Sequence, residues 1–285
     1  SGVDLGHDVE AVEYDKQGGG MTATALVTLA RLGAKTAAMT AIGDDEFGDF
    51  VMKIFRHEGV DVSHVVREVG EQTSVVFVLV DTKTGERSFL EYAGVARRTH
   101  ITGFDLDFIK ECDILHIDGY FFRDSLKAAK LARREGIQVS LDMSPQPGVR
   151  ELIENVNILI PSEALALTYT GEKNPKKACR KLLSLGPDIV AITLGKRGVV
   201  CMSREEEIER ESFKVQVRDT TGAGDVFHGA FVFGALRGWP LSRTVEFASA
   251  VAAIKCTKLG GQKGIPLLDE ALGFLEKKSA SHRIT

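Results

Sequence analysis

Apolar positions recur along the chain with two periods, and the period changes from segment to segment. Apolar and small residues at helical spacing predict helices over 21–32 and 46–57. Gly33 follows the first helix directly, as is typical of a helix C-terminus. Short apolar runs after each helix predict strands at 35–42 and 60–66. The amino-terminal part therefore alternates helix and strand.

A different pattern follows in the next thirty residues. Two strand-like runs, 73–80 and 87–92, flank the turn sequence Lys83-Thr84-Gly85. Apolar strands on either side of a glycine-containing turn predict an antiparallel β-hairpin.

Beyond the hairpin, strand-like and helix-like runs alternate again. Strands are predicted at 113–117, 137–141, 157–160, 188–194 and 198–202, and helices at 124–135, 174–185, 224–237, 241–258 and 267–278. Such alternation predicts an α/β fold with a doubly wound, mainly parallel sheet covered by helices on both faces. The early hairpin is an antiparallel insertion into that plan.

Composition narrows the possible functions. The chain has 285 residues, enough for one large α/β domain, and a formal net charge of −4, which gives no general reason to bind nucleic acid or an anionic membrane. No apolar run reaches the roughly 18 residues that span a bilayer, and no signal peptide opens the chain, so we expect a cytoplasmic protein. None of the four cysteines is in C-x-x-C spacing, which predicts reduced thiols and no zinc site.

The candidate chemistry lies in residues 219–225, Asp-Thr-Thr-Gly-Ala-Gly-Asp, directly before a predicted helix. Small residues at 222–224 let an anion approach the free N–H groups of the first helical turn, where the helix dipole favours negative charge. Asp225 beside that anion hole can accept the proton of an attacking hydroxyl. A lone Asp at a helix start usually only caps it, but the whole motif is more specific.

This motif resembles the carboxyl-terminal signature of the ribokinase/PfkB carbohydrate kinase family, and similar segments cover nearly the whole chain in order. The resemblance implies a ribokinase-like fold and an ATP- and Mg²⁺-dependent kinase that phosphorylates a primary hydroxyl of a sugar. Asp225 would be the catalytic base at the sugar, and Gly222, Ala223 and Gly224 the anion hole. A nucleoside kinase of the same family and a non-catalytic sugar- or nucleotide-sensing homologue are the alternatives.

Two further segments resemble the nucleotide-binding parts of the family. Thr193, Gly195 and Gly198 match a T-L-G-x-x-G loop that contacts ATP, although a glycine-rich turn between strands is by itself common. Ser249 matches a position that faces the nucleotide in the segment 247–266, which resembles the adenine pocket.

The resemblance also implies metal ions. A monovalent cation, potassium, would lie near the anion hole, largely on backbone oxygens of Asp219, Thr221, Lys255, Lys258, Gly260 and Gly264. The family's N-x-x-E motif for hydrated magnesium is eroded, because Ser162 and Leu165 stand where Asn and Glu are expected. Glu163 is the substitute that could hold Mg²⁺ through water.

The sugar-binding residues are matched less closely. Gly19 and Gly20 match the family's Gly-Gly substrate motif, but Met21 and Thr24 stand where the family usually has Asn. Asp118, at the end of a predicted strand, matches a substrate contact, and ligands of open α/β sheets bind at such carboxyl ends. Asp4 is the candidate for an Asp that grips sugar hydroxyls; only 14 residues separate it from Gly19, which is short for the family.

The resemblance predicts one kinase domain over 1–285, with a β-sheet lid over the sugar site from about 4–14 and 73–95. Such a lid excludes water from the reaction, and its two alternating faces predict a homodimer through the lid. The expected partners are thus a sugar, ATP and a second copy, with no nucleic acid or membrane. A dinucleotide-binding oxidoreductase is a third class of function and ranks last, because no G-x-G-x-x-G follows a first strand.

Overall fold

The computed structural model describes residues 10–80 and 87–282. Its main sheet has six strands in the order β10-β9-β8-β7-β6-β5. The strands are β5 (Ile114–Ile117), β6 (Gln138–Leu141), β7 (Ile158–Leu159), β8 (Ile189–Thr193), β9 (Val199–Ser203) and β10 (Glu207–Arg210). Strands β5 to β8 run parallel, and β9 and β10 join in antiparallel pairing.

Helices cover both faces of this sheet. They are α1 (Met21–Arg31), α2 (Glu46–His57), α3 (Phe122–Arg134), α4 (Val149–Ile153), α5 (Glu163–Thr170), α6 (Pro175–Leu183), α7 (Ala223–Leu236), α8 (Leu241–Lys255) and α9 (Leu268–His282). One apolar core joins α1, α7 and α8 to the sheet, and a second joins α3, α4 and α6 to its other face. The doubly wound α/β prediction is therefore confirmed. Among the described residues, no helix has the length and apolarity required to traverse a membrane.

Helix α7 is the central helix of the first core. Residues 226–234 are all buried, because their small and aromatic side chains suit a helix surrounded by protein. A Cβ at Gly229 would lie 2.6 Å from the backbone oxygen of Ala25, so glycine is needed for α1 to approach α7 this closely. This packing fixes the helix whose first turn carries Asp225.

Two small sheets accompany the main one. Strands β1 (Thr40–Gly43) and β2 (Val65–Glu68) pair in parallel, and β3 (Val75–Val80) and β4 (Arg87–Tyr92) pair antiparallel. The predicted hairpin is thus present, although its turn residues 83–85 lie outside the described residues. Residues 10–14, predicted as part of the lid, form no strand.

The sequence pattern placed some boundaries wrongly. The strands predicted at 35–42 and 60–66 are found near their carboxyl ends, at β1 and β2, and their earlier parts share only the isolated bridge between Ala37 and Asp61. The pattern also missed β10, α4 and α5. All three are short, and short segments carry too few periods to be recognised.

Candidate active site

A large open cavity of about 3180 Å³ lies between the lid hairpin, helix α1, strand β5 and the start of α7. It brings together most of the residues that the sequence singled out. Its lining includes Gly19, Gly20, Asp118, Asp219, Thr221, Gly222, Ala223, Gly224, Asp225 and Gly260. Asp4 lies outside the described residues. The described substrate and anion-hole residues therefore share one space with three of the predicted cation residues, whereas Lys255, Lys258 and Gly264 do not line it.

The first turn of α7 has the geometry of an anion-binding site. Gly222 caps the helix with φ 74°, and a Cβ there would lie 2.9 Å from the backbone oxygen of Gly261. Gly224 is exposed, and a Cβ on it would meet no atom within 4 Å. Gly222 is thus required by the backbone, whereas Gly224 leaves space open in front of the helical N–H groups.

Asp225 lies half-buried in this first turn. Burial, and then the charge of Asp142, raise the pKa of Asp225 to about 7, while the charges of His228 and Lys255 oppose that shift. A carboxyl group with a pKa near neutrality can both accept and release a proton at physiological pH. Asp225 is therefore suited to general base chemistry, beyond what a helix cap requires.

Asp142 and His228 were missed by the sequence analysis, yet both lie behind Asp225. Asp142 directly follows β6, and burial followed by the charge of Asp118 raises its pKa to about 8. The Nδ1 atom of His228 lies 2.8 Å from the backbone oxygen of Gly224, and its Nε2 atom 2.8 Å from that of Ile160. The His228 ring therefore links the start of α7 to the end of β7 through these two contacts. The position of Asp142 at the carboxyl end of a parallel strand was a signal available in the sequence.

Asp118 links the end of β5 to the glycine motif. One carboxylate oxygen accepts a hydrogen bond from the Thr22 N–H at 3.3 Å, and the other accepts one from the Tyr120 N–H at 3.0 Å. Thr22 lies in the first turn of α1, two residues after Gly20, whose φ is 92°. The carboxylate therefore sits beside the Gly19-Gly20 turn at the floor of the cavity.

The residues predicted to bind ATP divide into two groups. Thr193 ends β8, and Gly195 and Gly198 lie in the loop that follows it at the carboxyl edge of the sheet, beside the start of α5. Arg197 from this loop forms an ion pair with Glu163, the predicted magnesium residue. Ser249 is buried inside α8, where its hydroxyl donates to the backbone oxygen of Val245 at 2.7 Å. Neither Ser249 nor the loop residues Thr193, Gly195 and Gly198 line the cavity.

Comparisons with known proteins place the chain in a family. Residues 3–268 match the pfkB family carbohydrate kinase model. A ribokinase from Haemophilus influenzae is 32% identical, over 95% of this chain and 91% of the relative. The crystal structure of a ribokinase from Thermotoga maritima has a TM-score of 0.84 at 31% identity, covering 96% of this chain and 92% of that one.

A second solved structure was obtained with ligands. It is a putative ribokinase II from E. coli in complex with ATP and Mg²⁺, with a TM-score of 0.84 at 25% identity over 95% of both chains. The family match over most of the chain, the ribokinase-like fold and the Asp225 motif agree with one another. The chain belongs to the pfkB family of carbohydrate kinases.

Proposed function

We propose that this protein transfers the γ-phosphoryl group of MgATP to a primary hydroxyl of a sugar or sugar derivative. The observation that carries the proposal is the position of Asp225, beside the open Gly224 and in the cavity that also holds Asp118 and the Gly19-Gly20 turn. Phosphoryl transfer to a hydroxyl requires a base, an anion-binding site and polar groups that bind the substrate, all in one cavity.

Each residue of the site has a separate role in the proposed reaction. Asp118 and the Gly19-Gly20 turn hold the sugar, and Asp225 accepts the proton of its attacking hydroxyl. The Ala223 N–H donates to the backbone oxygen of Thr220 at 3.1 Å, which leaves the N–H groups of Gly222 and Gly224 to face the charge that develops on the transferred phosphoryl group. Fixed dipoles of this kind stabilise the transition state without having to reorganise.

The nucleotide and magnesium are proposed on the other side of the anion hole. Thr193, Gly195 and Gly198 would contact ATP, with Arg197 held beside them by Glu163. No group of three or more His, Cys, Asp or Glu side chains within 10–80 and 87–282 could hold a metal. Mg²⁺ commonly binds one or two carboxylates plus the phosphates, so it would arrive with ATP, near Glu163. Its chemistry is to neutralise phosphate charge.

The names of the relatives do not identify which sugar this protein phosphorylates. Their names include 5-dehydro-2-deoxygluconokinase from Clostridium perfringens, at 28% identity, and fructokinase-1 from Zea mays, at 29%. The nucleoside alternative calls for an aromatic side chain that stacks on a base. Of the two candidates in the lid, Phe89 lines the cavity, whereas Tyr92 lies on the opposite face of the hairpin. A sensor would have no need of a base aimed at a phosphoryl group.

A coupled ADP-release assay tests the proposed function. The panel contains MgATP with ribose, fructose, fructose phosphates, 2-keto-3-deoxygluconate, a sulfonated ketose, adenosine and cytidine. We expect strong ADP release with one sugar. Release with a nucleoside alone would favour the nucleoside kinase, and ATP binding without release from any compound would favour the sensor.

The pH dependence follows from the pKa of Asp225. Because a protonated carboxyl cannot accept the hydroxyl proton, kcat/KM should fall about tenfold per pH unit below about pH 7 and level off above it. An acid limb near pH 4 in the unmodified protein would contradict the role of Asp225.

We also propose that the lid forms a homodimer. Phe77, Leu79, Leu90 and Tyr92 share one face of the β3–β4 hairpin by their register, and each is 46% or more exposed. Glu91 and Arg87 lie on the opposite face, where they affect the pKa values of Tyr120 and Lys255 at the cavity side. Leu90 and Tyr92 do not line the cavity, whereas Phe77 and Leu79 do. A second lid is a partner that would cover this exposed apolar face.

Substituting Leu90→Glu should convert the dimer to a monomer of 31.0 kDa in light scattering. A charge placed in an apolar interface must be desolvated without a partner. Val69→Glu is the matched control, because Val69 is 85% exposed outside the lid. A Leu90→Glu protein with unchanged mass would exclude this face as the interface.

A further inference from the structure

Lys255 is a fully buried lysine behind the anion hole. It ends helix α8, has no exposed area, and its Nζ atom donates to the backbone oxygen of Asp219 at 3.0 Å. Lysine is almost never fully buried unless it is paired. Asp219 opens the loop that leads into the anion hole, so the ammonium group supports that loop from inside the protein.

The side-chain carboxylate of Asp219 already accepts hydrogen bonds from neighbouring residues of the chain. One carboxylate oxygen accepts hydrogen bonds from the Thr221 N–H at 2.8 Å and the Thr221 hydroxyl at 2.7 Å, and the other accepts one from the Gly260 N–H at 2.8 Å. Burial alone would raise the pKa of Asp219, but these hydrogen bonds and the charge of Lys255 lower it. The negative charge of Asp219 is therefore balanced by the ammonium group of Lys255.

These residues do not fit a potassium site. A hard cation needs several oxygens with free lone pairs, whereas here the backbone oxygen of Asp219 accepts from an ammonium group. The backbone oxygen of Lys255 already accepts a hydrogen bond from the Lys258 N–H at 3.2 Å. A second cation beside the Lys255 ammonium would be repelled by its charge.

We propose that the ammonium group of Lys255 takes the place of the monovalent cation, so that the anion hole works without potassium. Lys255 acts as a positioning residue through the Asp219 loop and touches no substrate. Its charge also acts on Asp225, whose carboxylate form it favours. The consequence for catalysis rests on the proposed kinase function, whereas the consequence for cation binding does not.

The first test compares salts on the unmodified protein. Thermal unfolding and the Kd for MgATP are measured in KCl, NaCl and choline chloride at equal ionic strength, so that screening is constant. We expect a Kd that agrees within about twofold among the three salts, and the same Tm. A higher Tm or tighter MgATP binding specifically in KCl would overturn the proposal.

The second test removes the ammonium group. Lys255→Ala opens space beside the Asp219 oxygen, and we expect MgATP binding to weaken about tenfold in choline chloride and to recover in KCl more than in NaCl. Lys255→Met fills the space without charge, so its binding should weaken in all three salts. Lys53→Met, at an exposed position of α2, is the matched control.

The possible results distinguish failure of the Lys255 proposal from failure of the proposed kinase function. Wild-type MgATP affinity of Lys255→Ala or Lys255→Met in choline chloride would overturn the role of Lys255, as would a Lys255→Ala protein that KCl does not rescue. If Lys255→Ala does not fold, Lys255→Met and the unmodified protein still decide. A protein that binds no MgATP at all would instead contradict the proposed function, and the salt dependence of Tm would still report on the Lys255 site.

Discussion

Replacing Asp225 by Asn is expected to lower turnover by about 10²–10⁴-fold while MgATP binding is retained. Asparagine keeps the size of the side chain but cannot accept the proton of the attacking hydroxyl. Asp225 lies in the first turn of α7, and the buried residues that follow it fix that helix. The substitution should therefore change the chemistry and leave the fold intact.

Asp188→Asn is the matched control for this variant. Asp188 is exposed and lies just before β8, at the opposite end of the parallel strands from the cavity. Its turnover should match that of the unmodified protein. Turnover of Asp225→Asn close to the unmodified value would remove Asp225 from the role of base.

Two glycines in the same turn should respond differently to a side chain. Gly224→Val should preserve Tm, because space is open at that position, but lower turnover by about 10²-fold or more by blocking the approach of the phosphoryl group. Gly222→Ala should lower Tm, because residue 222 has φ 74° and meets the backbone of Gly261.

The measurement pairs thermal unfolding with steady-state kinetics for both variants. Activity lost at unchanged Tm identifies Gly224 as part of the anion hole. A Gly224→Val protein with full turnover would show that no anion passes in front of that helix.

The sequence predicted the fold well where the pattern was long. Helices α7 and α8 were predicted within three residues at each end, because many apolar positions define each of them. The parallel strands were found because they lie in apolar runs between helices. The predicted boundaries of β1 and β2 began too early, because the apolar residues before each strand do not pair as a regular ladder.

The candidate site was predicted where a motif is local in sequence. Residues 219–225 are consecutive, so their geometry follows from one helix start. Asp142 was missed, because it reaches Asp225 only through the packing of β6 against α7. His228 lies about one turn after Asp225 in α7 and was missed because it is not part of the 219–225 motif. Lys255 was predicted for its backbone oxygen, and the burial of its ammonium group became visible only in three dimensions.

The most direct test of the central claim is the identity of the product. The unmodified protein and Asp225→Asn are incubated with MgATP and the sugar that releases most ADP, and the product is examined by phosphorus NMR. We predict a phosphate ester on a primary carbon, seen as coupling to a CH₂ group, that forms with the unmodified protein and is nearly absent with Asp225→Asn. Only inorganic phosphate, or equal product from both proteins, would contradict the account.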